Sequence, residues 1–347
     1  MNKKALRADI LLLFTAAIWG FGFVAQRSGM EFIGPFAFNG IRFILGSLFL
    51  LPFIFFRRRR LSSTQSSLRK QLQINLSRRL LSSLLTGSIL FIAVMFQQFG
   101  IIFTTAGNAG FITGFYVVLT PVFGIFLGKK TGLPTWIGCV LTLAGLYFLS
   151  AAGSPGSINP GDILVFISAF FWTAHVLLID RLMNEPAWRQ GGEASPLDPV
   201  ELSCGQFTVC GIFSLIGAVF AEPYIAGVVE RIDPSLLNTG LFAWKPFPDL
   251  ISAIAEGDVS ITFNTVIPVL YGGIGPVGIA YTFQVIAQRD APPAHATIIL
   301  CFEGCFAAAG GVLLLSEKAG SWTLIGFFLM FAGMLATQWD VIAKSKA

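Results

Sequence analysis

Charge is the scarcest feature of this 347-residue chain. Asp, Glu, Lys and Arg together make up 12% of its residues, against about 25% in soluble domains. The segment Leu80–Gly128 contains none of them over 49 consecutive positions. A helix needs about 20 apolar residues to cross roughly 30 Å of hydrocarbon. This segment is long enough for two crossings and a turn, so the chain is predicted to be an integral membrane protein.

Groups that carry catalysis or bind metals are also scarce. An intramembrane enzyme would need a nucleophile with a base, paired aspartates or a His-Glu-x-x-His set, and the sequence has none of these. His175 and His295 show no ligand spacing with the five cysteines, which are interpreted as small buried apolar residues. We therefore predict no enzymatic activity and no metal.

No cofactor is predicted either. The chain has no nucleotide-binding P-loop, which argues against ATP-driven transport. Gly273–Gly278 fits the letters of a dinucleotide-binding fingerprint, but it lies within an apolar span and contains Pro276. That fingerprint needs a strand before it and a helix after it. With Pro268, Pro276 instead predicts a kinked or partly unwound helix along a translocation path.

The apolar runs and their breakers predict an all-α integral membrane fold with about ten transmembrane helices. These spans fall near residues 9–27, 35–56, 81–103, 107–128, 134–152, 162–180, 200–222, 263–286, 293–316 and 321–341.

The distribution of Lys and Arg predicts the orientation. If the amino terminus is cytoplasmic, 18 of these residues lie on the cytoplasmic side and four lie outside. Both termini are therefore predicted to be cytoplasmic, in a multi-pass protein of the cell (plasma or inner) membrane, with Pro223–Ile261 outside. The Arg57–Arg60 cluster is interpreted as a stop-transfer signal beside anionic lipid of the bilayer, and no nucleic-acid partner is predicted.

The second half of the chain repeats the first. Eight identities recur at one constant spacing where the segment Lys130–Gly145 is matched by Lys318–Gly333. Trp19 is likewise matched by Trp172. Five helices per repeat is an odd number, so the second copy enters the membrane from the opposite side. This predicts two inverted five-helix repeats, over residues 9–152 and 162–341, with a substrate site near the midplane between them.

The stretch Ala17–Val24, the motif Phe38-Asn39-Gly40-Ile41-Arg42-Phe43, Pro121 and the glycine-rich ends of each repeat resemble EamA-like carriers of the drug/metabolite transporter superfamily. The resemblance covers nearly the whole chain. It implies a ten-helix carrier of small metabolites, which in this family are often amino acids that are exported.

Ionisable and aromatic residues inside the spans are the candidates for binding substrate or coupling ion. Burying an ionisable group in a membrane costs about 2.5–3.5 kcal/mol, so such a group usually has a partner or a task. A polar cavity between the repeats is predicted to be bordered by Trp19, Arg42, Tyr116, His175, Tyr281 and Glu303.

Each ionisable candidate has two interpretations. Glu303 could bind a proton, as coupling ion, or a cationic group of the substrate, while Arg42 could bind a carboxylate. Alternatively, the two side chains pair with each other or with helix ends. His175 could respond to pH or form a hydrogen bond between helices. Pro121, Pro268 and Pro276 are candidate helix kinks.

These patterns lead to one functional hypothesis. The chain is predicted to be a secondary transporter that exports a small organic metabolite, such as an amino acid, by alternating access. The alternatives are a transporter-fold protein of other specificity and a non-transporting membrane assembly protein.

Overall fold

A computed structural model describes residues 3–29, 33–62, 76–104, 106–151, 160–184, 197–232, 256, 259–314 and 321–346. Within these ranges the chain forms helices and no β-strand. The helices are α1 Lys3–Gly29, α2 Pro35–Ser62, α3 Leu76–Phe103, α4 Ala106–Thr113, α5 Tyr116–Phe126, α6 Leu133–Ala151, α7 Pro160–Asn184, α8 Pro199–Ile232, α9 Val259–Gly272, α10 Thr282–Ala287, α11 Pro293–Leu300, α12 Glu303–Leu314 and α13 Ser321–Lys346. A π-helical stretch, Gly273–Tyr281, connects α9 to α10.

The described helices account for ten apolar spans. Seven stretches are long and apolar enough to cross a bilayer, and three shorter apolar helices bring the number to ten. One long span, Ala109–Phe126, joins α4 to α5, and another, Val266–Ala287, runs from α9 through the π-helical stretch to α10. The all-α membrane fold with about ten spans is thus confirmed.

The helices pack in matched pairs. α6 lies along α13 and α2 lies along α8. α1 packs against α12, and α7 packs in the equivalent way against α4 and α5. α3 packs against α7, and α1 packs in the equivalent way against the α9–α10 span. Two inverted repeats related by a two-fold axis would give this pairing. The division of the chain at residues 9–152 and 162–341 remains a prediction.

Glycines permit the close crossing of α6 and α13. A Cβ atom added at Gly138 would lie 2.8 Å from the Gly333 carbonyl oxygen, and one at Gly145 would lie 2.7 Å from the Gly326 carbonyl oxygen. Gly326 and Gly333 are themselves the repeat counterparts of Gly138 and Gly145. Small residues let two membrane helices approach to backbone contact, which explains the glycines that the repeat preserves.

Two spans that the sequence predicts as continuous are interrupted. The fourth breaks at Gly114–Phe115 and the ninth at Cys301–Phe302. At each break the helix tightens to i→i−3 hydrogen bonds, as from Phe115 N–H to the Ile112 carbonyl (3.1 Å). The Cys301 thiol lies 3.8 Å from the Gly114 carbonyl, so one break supplies a partner to the other.

Other predicted boundaries shift. α8 continues to Ile232, past the predicted end of its span at residue 222. Residues 63–75, between the second and third predicted spans, lie outside the described residues, as does most of the predicted outside segment Pro223–Ile261.

Candidate functional site

A cavity lies between the two halves of the bundle. The empty space within it is about 560 Å³, a figure that includes its open mouth. Its lining comes from both halves of the chain: Trp19, Phe23, Gln26, Arg42, Gln97, Thr113, Tyr116, Trp172, Val176, Pro276, Tyr281, Gln284, Leu300 and Glu303.

The two interrupted spans place their breaks at this cavity. Thr113 and Leu300 are the last residues before the two breaks, and Tyr116 and Glu303 are the first residues after them. All four line the cavity. Discontinuous helices of this kind bring half-helix ends to the substrate sites of transporters.

The breaks also define how the two repeats align. The same number of residues separates α4 from α11 at their starts and at their ends. The starts of α5 and α12 are separated by that number as well. In the first span of each half, Trp19 and Trp172 define the alignment. Ten of the 14 lining residues then form five equivalent pairs: Trp19 with Trp172, Phe23 with Val176, Gln97 with Gln284, Thr113 with Leu300, and Tyr116 with Glu303.

Arg42 and Glu303 bring one basic and one acidic side chain to the cavity. Both are almost fully buried, at 4% and 7% exposure. Among the described residues neither has an ion-pair partner within 4 Å, so they do not form the mutual pair that was one alternative. Glu303 begins α12, where the helix dipole favours a carboxylate.

The Arg42 guanidinium is held by aromatic rings. Its carbon lies 5.2 Å from the ring centroids of both Phe38 and Phe43, a geometry in which a desolvated cation gains about 2 kcal/mol. The Arg42 Nε is buried and has no hydrogen-bond partner among the described residues. A buried donor without a partner is costly.

Tyr281 is the centre of the aromatic lining. Its ring packs edge-on against Trp19, with centroids 4.6 Å apart, and stacks on Trp172 at 6.0 Å. Tyr281 and both tryptophans line the cavity together.

His175 lies behind this layer and does not line the cavity. It is fully buried, and its Nε2 lies 2.9 Å from Oε1 of Gln206 on α8. Its ring meets Tyr281 edge-on at 6.5 Å. The structure therefore brings five of the six candidate residues to the cavity and gives His175 an interhelical hydrogen bond. The roles of all six in transport remain predictions.

The three candidate kink prolines differ in their surroundings. Pro276 lies inside the π-helical stretch, and its carbonyl accepts a hydrogen bond from the Trp19 indole N–H at 3.1 Å. π-helical turns often mark functional sites. Pro268 and Pro121 lie within α9 and α5, where the helices continue through them.

Two polar pairs connect the halves at the end of the bundle where α1 and α11 begin. His295 Nε2 lies 2.8 Å from the Asp9 carboxylate, and Lys129 forms an ion pair with Asp180. Asp180 lies one turn along α7 from Val176, which lines the cavity. These pairs hold the bundle together on that side of the cavity.

The sequence interpretation missed two buried acids, Asp180 and Glu222. Glu222 on α8 accepts hydrogen bonds from the N–H groups of Phe36 (2.6 Å) and Ala37 (2.9 Å). It thereby caps the amino terminus of α2, where a carboxylate is stabilised. The available signal was an acid at the end of an apolar run, directly before Pro223.

Comparisons with known proteins agree with this architecture. The model of the EamA-like transporter family matches residues 6–151 and 159–338. An uncharacterized transporter of Archaeoglobus fulgidus is 34% identical over 52% of this chain, a match that spans only about half (52%) of that relative. A second one from that organism is 23% identical over 97% of this chain and 98% of its own length.

A bacterial relative and a solved structure extend the comparison. The uncharacterized transporter YvbV of Bacillus subtilis is 26% identical over 76% of this chain and 81% of its own length. A crystal structure of a protein 17% identical in sequence superposes with a TM-score of 0.64, covering 95% of this chain and 96% of that one, which shows the shared fold. With its family model matched across both halves, the chain belongs to the EamA-like transporter family.

Proposed function

We propose that this protein is a secondary transporter that exports a small organic metabolite, such as an amino acid, by alternating access. The observation that carries the proposal is the cavity between the halves, which is lined in equivalent pairs and holds one basic and one acidic side chain without an ion-pair partner among the described residues. Equivalent pairs would let the two halves exchange roles when the cavity opens to the other side of the membrane.

The polar pairs at one end of the bundle support alternating access. Asp9–His295 and Lys129–Asp180 each join the first half of the chain to the second. They would close the cytoplasmic side while the cavity faces outward. Their separation would accompany opening toward the cytoplasm, because access on that side requires the two halves to move apart.

The proposed coupling ion is the proton, and the proposed coupling group is Glu303. A carboxylate can hold either a proton or a cationic group of the substrate. If the two exchange at Glu303, a proton entering the cell drives the export of one substrate molecule. Glu303 is almost fully buried and lines the cavity. A proton or a substrate would therefore reach its carboxyl group from the cavity.

The orientation follows from the charge distribution, with both termini in the cytoplasm. A reporter that fluoresces only in the cytoplasm is expected to be bright when fused at Ala347 and dark when fused after Thr239. Fluorescence at both fusion sites would contradict the proposed topology.

The cytoplasmic closure can be tested with Lys129→Gln. Losing about 1.4 kcal/mol at this ion pair would shift the two-state equilibrium about ten-fold. A Val176→Cys reporter, in a background without native cysteines, is expected to react about ten-fold faster with a thiol reagent supplied from the cytoplasmic side. The matched control is Lys130→Gln, because Lys130 is the neighbour of Lys129 in the same loop. Equal labelling of both variants would argue against this closure.

Transport itself is tested by comparing metabolites in the medium of cells that produce the protein with those of cells that do not. A compound enriched outside producing cells is then supplied to vesicles containing the purified protein. We expect exchange of labelled for unlabelled compound across these vesicles. If no enriched compound exchanges, the protein is not a carrier, and an assembly role replaces the proposal.

A further inference from the structure

The hydrogen bonds of His295 define where protons lie at the end of the bundle at which α1 and α11 begin. The Thr337 hydroxyl lies 2.8 Å from the Met334 carbonyl oxygen and 3.2 Å from His295 Nδ1. A hydroxyl group has a single hydrogen to donate, and the nearer acceptor is the Met334 carbonyl. Thr337 therefore accepts from His295, which means that Nδ1 of this histidine carries a hydrogen.

The other ring nitrogen of His295 faces an acid. Its Nε2 lies 2.8 Å from Oδ1 of Asp9, which is a hydrogen-bond distance. A carboxylate oxygen and a bare ring nitrogen are both acceptors, so this contact requires a second hydrogen between them. Asp9 and His295 together thus hold one proton more than an ionised carboxylate beside a neutral imidazole. The count is the same whether this proton resides on the ring or on the carboxyl group.

We propose that Asp9 and His295 form a proton-binding site that regulates the carrier from the cytoplasm. The bound proton holds α1 against α11, and its loss leaves two acceptors facing each other across this contact. The regulation rests on the proposed transport function, in which the same pair helps to close the cytoplasmic side. That closure is therefore tight at low cytoplasmic pH and loosens as the pH rises.

The burial of the pair links release of the proton to movement of the helices. The side chains of His295 and Asp9 are only 5% and 16% exposed, and Thr337 is buried. Little water can replace the hydrogen bond at such exposure, and a buried acceptor that loses its donor is costly. Separation of α1 from α11 gives both acceptors access to water. The deprotonated pair is therefore more stable in the open form than in the closed one.

This site gives the carrier negative feedback. Neither Asp9 nor His295 lines the cavity, so their proton is distinct from the one proposed to exchange at Glu303. Export in return for that second proton acidifies the cytoplasm. As the cytoplasmic pH falls, the Asp9–His295 site fills and the cytoplasmic side stays closed. Further entry of protons then slows.

Other charged groups lie near the pair in the sequence. They are Lys4 and Arg7 on α1, Arg289 and Asp290 before α11, Asp340 on α13, and the Lys129–Asp180 ion pair between the α5–α6 loop and α7. Lysine and arginine side chains ordinarily keep their charge over the pH range in which histidine titrates. The experiments therefore need a control for a neighbouring acid.

Nitrogen NMR of the full-length protein in lipid nanodiscs tests the proton count directly. The chain has two histidines, so ¹⁵N-labelled histidine gives few signals, and His295→Gln identifies those of His295. Between about pH 5 and pH 8, we expect Nδ1 to remain an N–H nitrogen while the Nε2 signal changes as the proton is released. An Nδ1 without a hydrogen over this range would overturn the proposal, because Thr337 would then be the donor and no extra proton would be bound.

Asp9→Asn replaces the proton with a permanent donor. The asparagine amide can donate to His295 Nε2 without binding a proton, so the contact should persist while its dependence on pH is lost. Asp290→Asn is the matched control, because this acid precedes α11 and takes part in neither hydrogen bond of His295. It should respond to pH as the unmodified protein does.

The Val176→Cys reporter measures the closure in the background without native cysteines. Its labelling rate from the cytoplasmic side is divided by the rate of the same reporter in Asp9→Asn, because the reactive thiolate increases with pH in both proteins. Binding of one proton can shift a two-state equilibrium by up to about ten-fold per pH unit. We expect the ratio to rise at least about ten-fold between pH 5 and pH 8.

Two labelling results would overturn the regulation. One is a ratio that does not change with pH, and the other is an Asp290→Asn variant that loses the pH response as Asp9→Asn does. If Asp9→Asn does not fold, the histidine signals of the unmodified protein still decide whether the proton is bound. Failure of the transport function has a different result, since no compound would exchange in vesicles while the His295 signals would still report the bound proton.

Discussion

Glu303→Gln is expected to abolish transport driven by a pH gradient while leaving the protein folded and inserted. The glutamine amide keeps the shape of the side chain and can form hydrogen bonds, but it cannot exchange a proton. Because Glu303 lines the cavity without an ion-pair partner among the described residues, no salt bridge within that part of the protein is lost. The change therefore separates proton coupling from structure.

Vesicles with a defined pH gradient measure this effect. One pH unit corresponds to about 1.4 kcal/mol, so the exchange of one proton per substrate supports about ten-fold accumulation. The unmodified protein should approach that ratio, and Glu303→Gln should give no accumulation above equilibrium. A folded variant that still accumulates substrate with the pH gradient would remove Glu303 from the coupling mechanism.

Glu222→Gln is the matched control. Glu222 is the other strongly buried glutamate among the described residues, at 2% exposure, and it caps α2 instead of lining the cavity. The glutamine carbonyl can still accept from Phe36 N–H, although the favourable interaction between the charge and the helix dipole is lost. We expect lower stability with unchanged pH-driven accumulation. This contrast would attribute coupling to the position of Glu303 and not to buried acids in general.

The spans and five of the 14 cavity-lining residues could be predicted from the sequence because the bilayer imposes simple rules. A helix that crosses it needs a long apolar run. An ionisable side chain inside it is costly to bury, so it usually has a partner or a function. These rules identified Arg42 and Glu303, which the structure places at one cavity. Trp19 was found because its equivalent, Trp172, is the same residue type.

The helix breaks could not be predicted in this way. No proline lies at Gly114–Phe115 or at Cys301–Phe302, and apolar runs look the same whether a helix is continuous or broken. The Cys301 thiol that approaches the Gly114 carbonyl comes from the other half of the sequence. The sequence also does not reveal that Tyr116 and Glu303 are equivalent. The two residues begin equivalent helices, but they are of different types.

A polar residue within a span does not always line the cavity. His175 is polar and lies within a span, as a cavity residue would, but its side chain is directed to Gln206 on the neighbouring helix. The direction of a side chain around its helix depends on the packing of all neighbours. An apolar span shows no stripe that reports this direction.

Gly138→Ala is expected to destabilise the protein by about 1–3 kcal/mol, the usual cost of overpacking a tight contact. The added Cβ would lie 2.6 Å from Thr337 Cγ2 and 2.8 Å from the Gly333 carbonyl oxygen. Because a backbone oxygen cannot rotate away as a side chain can, α6 and α13 would have to separate. Thermal unfolding of the purified protein measures the loss.

Gly124→Ala on α5 provides the control for helix propensity. Both changes replace a helical glycine, and alanine favours a helix by about 1 kcal/mol. At Gly124, however, the nearest atom to the new Cβ would be 3.7 Å away, which is an ordinary contact. Equal effects at both positions would show that the crossing of α6 and α13 is not tightly packed. Gly145→Ala is expected to lower stability as Gly138→Ala does. The Cβ added at Gly145 would lie 2.7 Å from the Gly326 carbonyl oxygen, in the equivalent contact of the two-fold arrangement.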